Sequence, residues 1–294
     1  MQDILFGITT GSIYALMALA IGIVYSTTGI INFAHGSVVM IGAVIGFWLT
    51  SMLGLPLWLS ILISIVMTAA VSIIIYKTCV QILGDLNTNI GWITTLLGAA
   101  IILNNLVRVL FGAEPQPFPY LFGGSGITVL GHNILIHEIA MILITLIIAV
   151  SYQAMIKKTT LGNAIRAVSS LPDSAKLMGI KSEFIVLLCF GIAGGVAAIC
   201  GILMAPITFV SYTMTMSVGL KGFAAALIGG LGNTRGAFVG GWSLGIFEAI
   251  LSRYIPLGYK DVLSFTIMIL IILLMPGGVL SGIKVGKKAA AVKL

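Results

Sequence analysis

In a chain of 294 residues, 59% hydrophobic side chains against 8% charged ones leave too little polarity for a soluble domain, which carries roughly 25% charged residues. The formal charge of +7 gathers in two places, Lys157, Lys158, Arg166, Lys176 and Lys181 in one polar stretch and Lys284, Lys287, Lys288 and Lys293 at the end. That distribution reads as membrane topology rather than as a nucleic-acid surface, and the composition predicts an all-α polytopic membrane protein resting in a lipid bilayer.

From Ile4 to Tyr76 there is no Asp, Glu, Lys or Arg. A spanning helix needs about 20 apolar residues, and breaks at Gly, Pro and Asn divide this run into spans Ile4–Tyr25, Gly36–Met52 and Leu57–Tyr76. The opening Met1, Gln2 and Asp3 lack a basic n-region, so the first span is expected to direct its own insertion. Further spans are expected at Ile90–Val107, Ile134–Ile156, Phe184–Ala205, Ala237–Leu251 and Val262–Gly278. Phe209–Leu231 is ambiguous, because Ser211, Tyr212, Thr213, Thr215 and Ser217 suit an outer interfacial helix followed by a half-span. Non-helical backbone survives at membrane depth only under protein or beside a water-filled cavity. The expectation is eight or nine transmembrane helices, some broken or re-entrant, in one transmembrane domain over 1–294. With nine crossings the N-terminus is outside, and the basic segment 157–183 and the basic tail 279–294 both face the cytoplasm.

The external loop 108–137 carries Pro115, Pro117 and Pro119, then a hairpin expected over Ile127–Ile136 with its turn at Gly131, His132 and Asn133. It reads as a cap over the helix ends or as part of a surface that receives a delivery protein. Glycines four apart, among them Gly7/Gly11, Gly42/Gly46, Gly236/Gly240 and Gly241/Gly245, point to close helix packing. Within 157–183, Asp173 and Ser174 after Pro172 can start a short helix. Such a helix outside the membrane suits docking into a partner's groove, or rests on lipid.

Enzymatic readings fail for want of residues. The histidines are scattered, and no Ser/His/Asp or Cys/His grouping or metal-ligand spacing occurs. Cys79, Cys189 and Cys200 read as small buried hydrophobes. No G-x-x-x-x-G-K-[ST] loop is present, so no ATP-binding or other cofactor site is expected here. What stands out is polarity at membrane depth: Asn32 and His35 in an uncharged break, and Lys221 and Glu248 near apolar segments. An unpaired acid at the bilayer centre costs about 2.5–3.5 kcal/mol on insertion scales, so Glu248 should find a cavity, a donor or a partner charge. Lys221 is the candidate partner; it could also snorkel to an interface. Candidates for lining a translocation path are Tyr14, Asn32, His35, Asn104, Asn105 and Glu248.

Several segments, in order, resemble the permease subunits of branched-chain amino acid ABC importers. They are Gly11 to Leu16 (with Ser12, Ile13, Tyr14 and Ala15), Asn32 to Gly36 with Met40 and Gly42, and Arg166 and Ala167 with Ala175, Gly179 and Ile180. Gly219 to Gly241 follows, then Tyr259 to Val262 leading to Met275, Pro276 and Gly277. The resemblance implies two permease subunits, a paralogue or a copy, enclosing one path in a bacterial inner membrane. It also implies two cytoplasmic ATPases that bind the ATP and an external solute-binding protein. The family's coupling segment falls on Gly162, Arg166, Ala167, Asp173, Ala175 and Gly179. The chain departs from the pattern in having Val168, Ser169 and Ser170 where acidic residues often follow, and Arg235 where Pro often stands. These departures bear on partner matching and substrate. The reading is a non-enzymatic importer subunit for branched-chain or similar amino acids. The alternatives are a urea or short-amide importer, a channel, and an ion-coupled secondary transporter, the last of which would want more mid-membrane acids than Glu248.

Overall fold

The computed structural model describes residues 2–84, 90–129, 132–252 and the single positions 254, 262, 265, 266, 269, 270 and 273. The expected span Val262–Gly278 therefore falls mostly outside the described residues, and the basic tail 279–294 lies wholly outside them.

The elements in order are α1 (Gln2–Thr28), α2 (His35–Phe47), α3 (Leu57–Ile75), α4 (Gly91–Phe111), the strands β1 (Gly126–Val129) and β2 (His132–Leu135), and α5 (Ile136–Lys158). They continue with α6 (Thr160–Ser170), α7 (Pro172–Leu177), α8 (Ser182–Thr208), α9 (Leu220–Gly229) and α10 (Thr234–Leu251). Among the described residues six helical stretches are long and apolar enough to cross a membrane: Ile4–Thr28, His35–Met52, Leu57–Leu83, Gly91–Phe111, Ile136–Lys158 and Ser182–Thr208. Together with the hydropathy of the chain they make it a multi-pass membrane protein.

α1 is the central helix. It is buried almost all round from Gly7 to Val24, which explains why it is apolar on every face. Its principal neighbour is α10, packed antiparallel to it. The approach is close because glycines meet: a Cβ on Gly7 would lie 2.7 Å from the Ile246 Cα, and one on Gly11 would lie 2.8 Å from the Gly241 carbonyl oxygen. Gly245 is similarly pressed against Gly11. Among lipid-like surroundings that offer no hydrophobic drive, such small-residue seams provide the packing. α3 uses a different device. Ser60, Ser64, Thr68 and Ser72, spaced by four, are all fully buried, while Trp58, Leu62, Val66 and Ile74 of the same helix are exposed. The hydroxyl stripe faces α2 and α8; the Ser64 hydroxyl donates to the Gly42 carbonyl at 2.7 Å.

At one end of the bundle the loop after α4 meets the chain after α8. The Gln116 N–H donates to the Val210 carbonyl at 2.9 Å, and Val210 returns the bond at 2.8 Å. The hairpin beside it pairs Val129 with His132. His132 and Asn133 thus belong to the second strand and not to the turn expected there. At the opposite end lie α6 and α7. Thr159 caps α6 by accepting from the Gly162 N–H at 3.0 Å, and Pro172 opens α7 with Asp173 in its first turn.

The ambiguous segment 209–231 runs between the two ends in pieces. Phe209 takes a left-handed conformation (φ 59°) that ends α8 and swings the chain into the bridge at Val210. A π-helical turn, Thr215–Gly219, then leads into α9, and beyond its end Gly232 reaches Tyr25 and Ser26 near the end of α1. The expected interfacial helix is replaced by a bridge and turn, because the Gln116 backbone takes up the groups a helix would have paired internally.

Candidate functional site

Two polar clusters lie inside this apolar bundle. The first is a cavity of about 200 Å³ at the break between α1 and α2. Asn32, His35 and Gly36 form one wall, Asn104 and Leu97 of α4 another, and Thr215 with Gly219 and Phe223 a third. Met17 and Ile21 of α1 close it. No lining residue carries a full charge when His35 is neutral.

The break exists because both flanking helices stop there. Gly29 adopts φ 71° after α1, and Asn32 makes a local turn by accepting the Ala34 N–H on its side-chain oxygen at 3.0 Å. The N-cap of α2 is Ala34, with no side-chain bond to the first turn. Asn32 therefore shapes the entry to α2 without capping it. Gly36 allows the π-helical turn to press in: a Cβ there would sit 2.8 Å from the Thr215 carbonyl oxygen. Asn104 ties two walls together. Its side-chain oxygen accepts from the Thr215 hydroxyl at 2.7 Å and from the Ser37 hydroxyl at 3.2 Å. The Asn32 amide nitrogen and both His35 ring nitrogens are buried without a hydrogen-bond partner among the described residues. Buried polar groups are otherwise almost always paired.

The second cluster is an ion pair. Lys221, at the start of α9, donates to Glu248 Oε1, and the Tyr14 hydroxyl donates to Glu248 Oε2 at 2.8 Å. The ammonium also lies 6.0 Å from the centre of the Tyr14 ring, within reach of a cation–π attraction. Side-chain exposure is 9% for Lys221 and 1% for Glu248, so the pair is an interior one.

Of the sequence candidates for the path, the fold brings Asn32, His35 and Asn104 to the cavity. Tyr14 and Glu248 go instead to the ion pair, and Asn105 is exposed, its amide bonded to the Ile101 carbonyl of its own helix. Adjacent residues on a helix point about 100° apart, so only one of two neighbouring asparagines can face inward. Thr215, Ser37, Met17 and Phe223 are not singled out by sequence reasoning. The available signal was Thr215 in a polar run entering an apolar one.

In the segment expected to dock a partner, Gly162 and Ala175 are buried. Arg166 is exposed and donates to Asn163, Asp173 pairs loosely with Lys176 at 3.9 Å, and Gly179 turns the chain at φ 82°. Ala167 is half-buried. Leu177 and Met178 project almost fully exposed, 89% and 84%. Among the described residues there is no cluster of metal-ligating side chains.

The family model "Branched-chain amino acid transport system / permease component" matches residues 3–272. The high-affinity branched-chain amino acid transport system permease protein LivH of Escherichia coli K12 is 32% identical over 302 aligned residues, covering 98% of this chain and 97% of that protein. The corresponding permease protein BraD of Pseudomonas aeruginosa is also 32% identical with the same coverage. A probable branched-chain amino acid transport permease, LivH of Methanocaldococcus jannaschii, is 27% identical over 91% of this chain and 88% of its own. Among solved structures, PsaBC from Streptococcus pneumoniae in complex with Fab superposes with a TM-score of 0.50 at 15% identity, over 92% of this chain and 91% of that one, which speaks to the fold alone.

Proposed function

The chain belongs to the family of permease components of branched-chain amino acid transport systems, and from that premise we propose that it forms one side of the path by which an ATP-driven importer carries branched-chain or similar amino acids across the bacterial inner membrane. The observation that carries the reading is the cavity. It is uncharged, walled by aliphatic and aromatic side chains, and supplied with a few convergent amides and a hydroxyl. Substrate sites are mostly apolar with sparse, placed polar groups, and a zwitterion with an aliphatic side chain asks for that mixture. At about 200 Å³ the cavity falls below the roughly 300–1,000 Å³ of common ligand sites, which fits a path completed by a second permease subunit.

The basic segment 157–183 faces the cytoplasm and the loop 108–137 the outside, in keeping with the excess of Lys and Arg on cytoplasmic loops. The exposed face of α6 and α7, with Arg166, Leu177 and Met178, docks a cytoplasmic ATPase that binds the ATP; this chain hydrolyses nothing. A solute-binding protein delivers substrate at the hairpin end. The test is reconstitution of the permease with its second permease, ATPase and binding-protein subunits, followed by ATP hydrolysis and uptake. Stimulation by leucine, isoleucine or valine with the binding protein present is the expected result. Stimulation by urea or short amides alone, or uptake that ignores ATP and follows a proton or sodium gradient, would overturn it.

A further inference from the structure

Within the cavity, the wall where α2 begins has the chemistry of a carboxylate seat. We infer that the α-carboxylate of the substrate is held between the Asn32 amide and the first-turn N–H groups of α2, with its aliphatic side chain against Met17, Ile21, Leu97 and Phe223. This rests on the functional reading above and adds to it the part of the substrate that is recognised and the residue that recognises it.

The first support is the helix start. α2 spans His35–Phe47 and its opening turn receives no side-chain cap; the first N–H groups of a helix have no partner within it, and although the His35 N–H is taken by the Asn32 carbonyl at 3.1 Å, those of Gly36 and Ser37 follow it. Gly36, in that turn, lies on the cavity wall. Aligned peptide dipoles leave about half a positive charge at such an end, and helices that begin at mid-membrane present it to anionic substrate groups.

The second support is independent. Asn32 is 3% exposed, and its side-chain oxygen is engaged by the Ala34 N–H. That bond fixes the amide, so the group left over is the NH₂, a donor without a partner among the described residues. The two ring nitrogens of His35, which is 1% exposed, have no partner among the described residues either; neutral imidazole adds one donor. A run of donors beside a helix start, with no cation on the wall, attracts a carboxylate through partial charges alone. A transporter gains from that, since a site must also release what it binds. Across the cavity, Thr215 donates to Asn104 and keeps oxygen lone pairs that can accept from an ammonium.

The experiment measures binding to the solubilised complex of this permease with its second permease and ATPase subunits, without the binding protein, so that only the path is probed. The ligands are leucine, 4-methylpentanoate (carboxylate without amine), leucinamide (amine without carboxylate) and urea. Leucine and 4-methylpentanoate should both bind, with leucinamide weaker than leucine by about tenfold or more, a factor worth about 1.4 kcal/mol. Asn32→Asp, of equal size but anionic, should weaken leucine by a similar factor. Equal binding of leucine and leucinamide, or undiminished leucine affinity in the variant, would overturn the carboxylate seat and leave amino-acid transport standing. Absence of leucine binding would overturn it too, and urea binding in its place would overturn the transport reading as well. The analogue series uses the unaltered protein, so it decides even where the variant fails to assemble.

Discussion

Replacing Lys221 by methionine removes the ammonium that faces Glu248 and leaves the carboxylate inside the bundle, still bonded to the Tyr14 hydroxyl. An exposed pair would contribute about 1 kcal/mol or less. Here the side chains are 9% and 1% exposed, and stranding one member of a buried pair costs about 3–5 kcal/mol. Tyr14 keeps one oxygen satisfied, so Lys221→Met should fall near the lower end of that range. Glu248→Gln retains an acceptor but removes the charge that faces the ammonium, and should cost a similar amount. In the double variant neither charge remains, and a large part of the loss should return, a coupling of about 2 kcal/mol or more. Tyr14→Phe alone should cost about 1.5–3 kcal/mol, the range for a hydrogen bond to a charged group. The assay is thermal unfolding of the intact complex in detergent, run as a double-mutant cycle. Strict additivity of Lys221→Met and Glu248→Gln would refute the reasoning, because independent sites add and coupled ones do not.

Gly11→Leu should prevent assembly or lower the yield of folded protein sharply, since its Cβ would meet the Gly241 backbone and overpacking costs about 1–3 kcal/mol even in tolerant cores; normal yield and melting behaviour would contradict the α1–α10 seam. Ala167→Trp, on the half-buried side of α6, should leave the protein inserted while ATP hydrolysis and uptake become uncoupled, and normal uptake at normal expression would remove α6 from the coupling surface. Cysteines introduced at Ser170 and Ser125 should react with impermeant reagents from opposite sides of the membrane; labelling from one side would overturn the orientation. Asn104→Cys combined with Thr215→Cys, whose present side chains meet at 2.7 Å, should cross-link under oxidation and arrest uptake reversibly, and unimpeded transport by the cross-linked protein would show that this contact need not open.

What the sequence makes legible follows from what is costly in a membrane. A charge-free stretch from Ile4 to Tyr76 leaves the chain little choice but helices. Lys221 and Glu248 draw notice because an unpaired charge there is expensive, and the fold brings them together. Tyr14 is harder to read. An aromatic ring in an apolar span is unremarkable until α10 is laid antiparallel on α1 and the hydroxyl is found beside Glu248. The choice between Asn104 and Asn105 depends likewise on the angle at which α4 meets α2, a tertiary quantity. The serine and threonine stripe of α3 is written at a spacing of four from Ser60 to Ser72, and could have been recognised as a packing face. The broken path from Phe209 to Gly229 was legible as a break, but its form depends on Gln116, a residue some ninety positions earlier whose backbone completes the bridge.

The two polar clusters are linked through α9. Lys221 follows directly on Gly219 and Leu220, which form cavity wall, and its ion pair joins that wall to α10. α10 in turn is zipped to α1 through Gly7, Gly11, Gly241 and Gly245. α1, α9 and α10 are therefore bound by a buried pair whose rupture costs about 3–5 kcal/mol and by a seam without room to slide. Across the cavity, α4 is joined to the turn before α9 by a neutral hydrogen bond, Thr215 to Asn104, of a kind worth about 0.5–1.5 kcal/mol. If the cavity changes volume during transport, the weaker junction yields first. Movement then separates the α4 wall from the Thr215 turn and leaves Lys221 and Glu248 together. On this argument the ion pair belongs to the rigid half of the cavity. Its removal should loosen the complex as a whole, whereas loss of the Asn104 bond should change how readily the path opens.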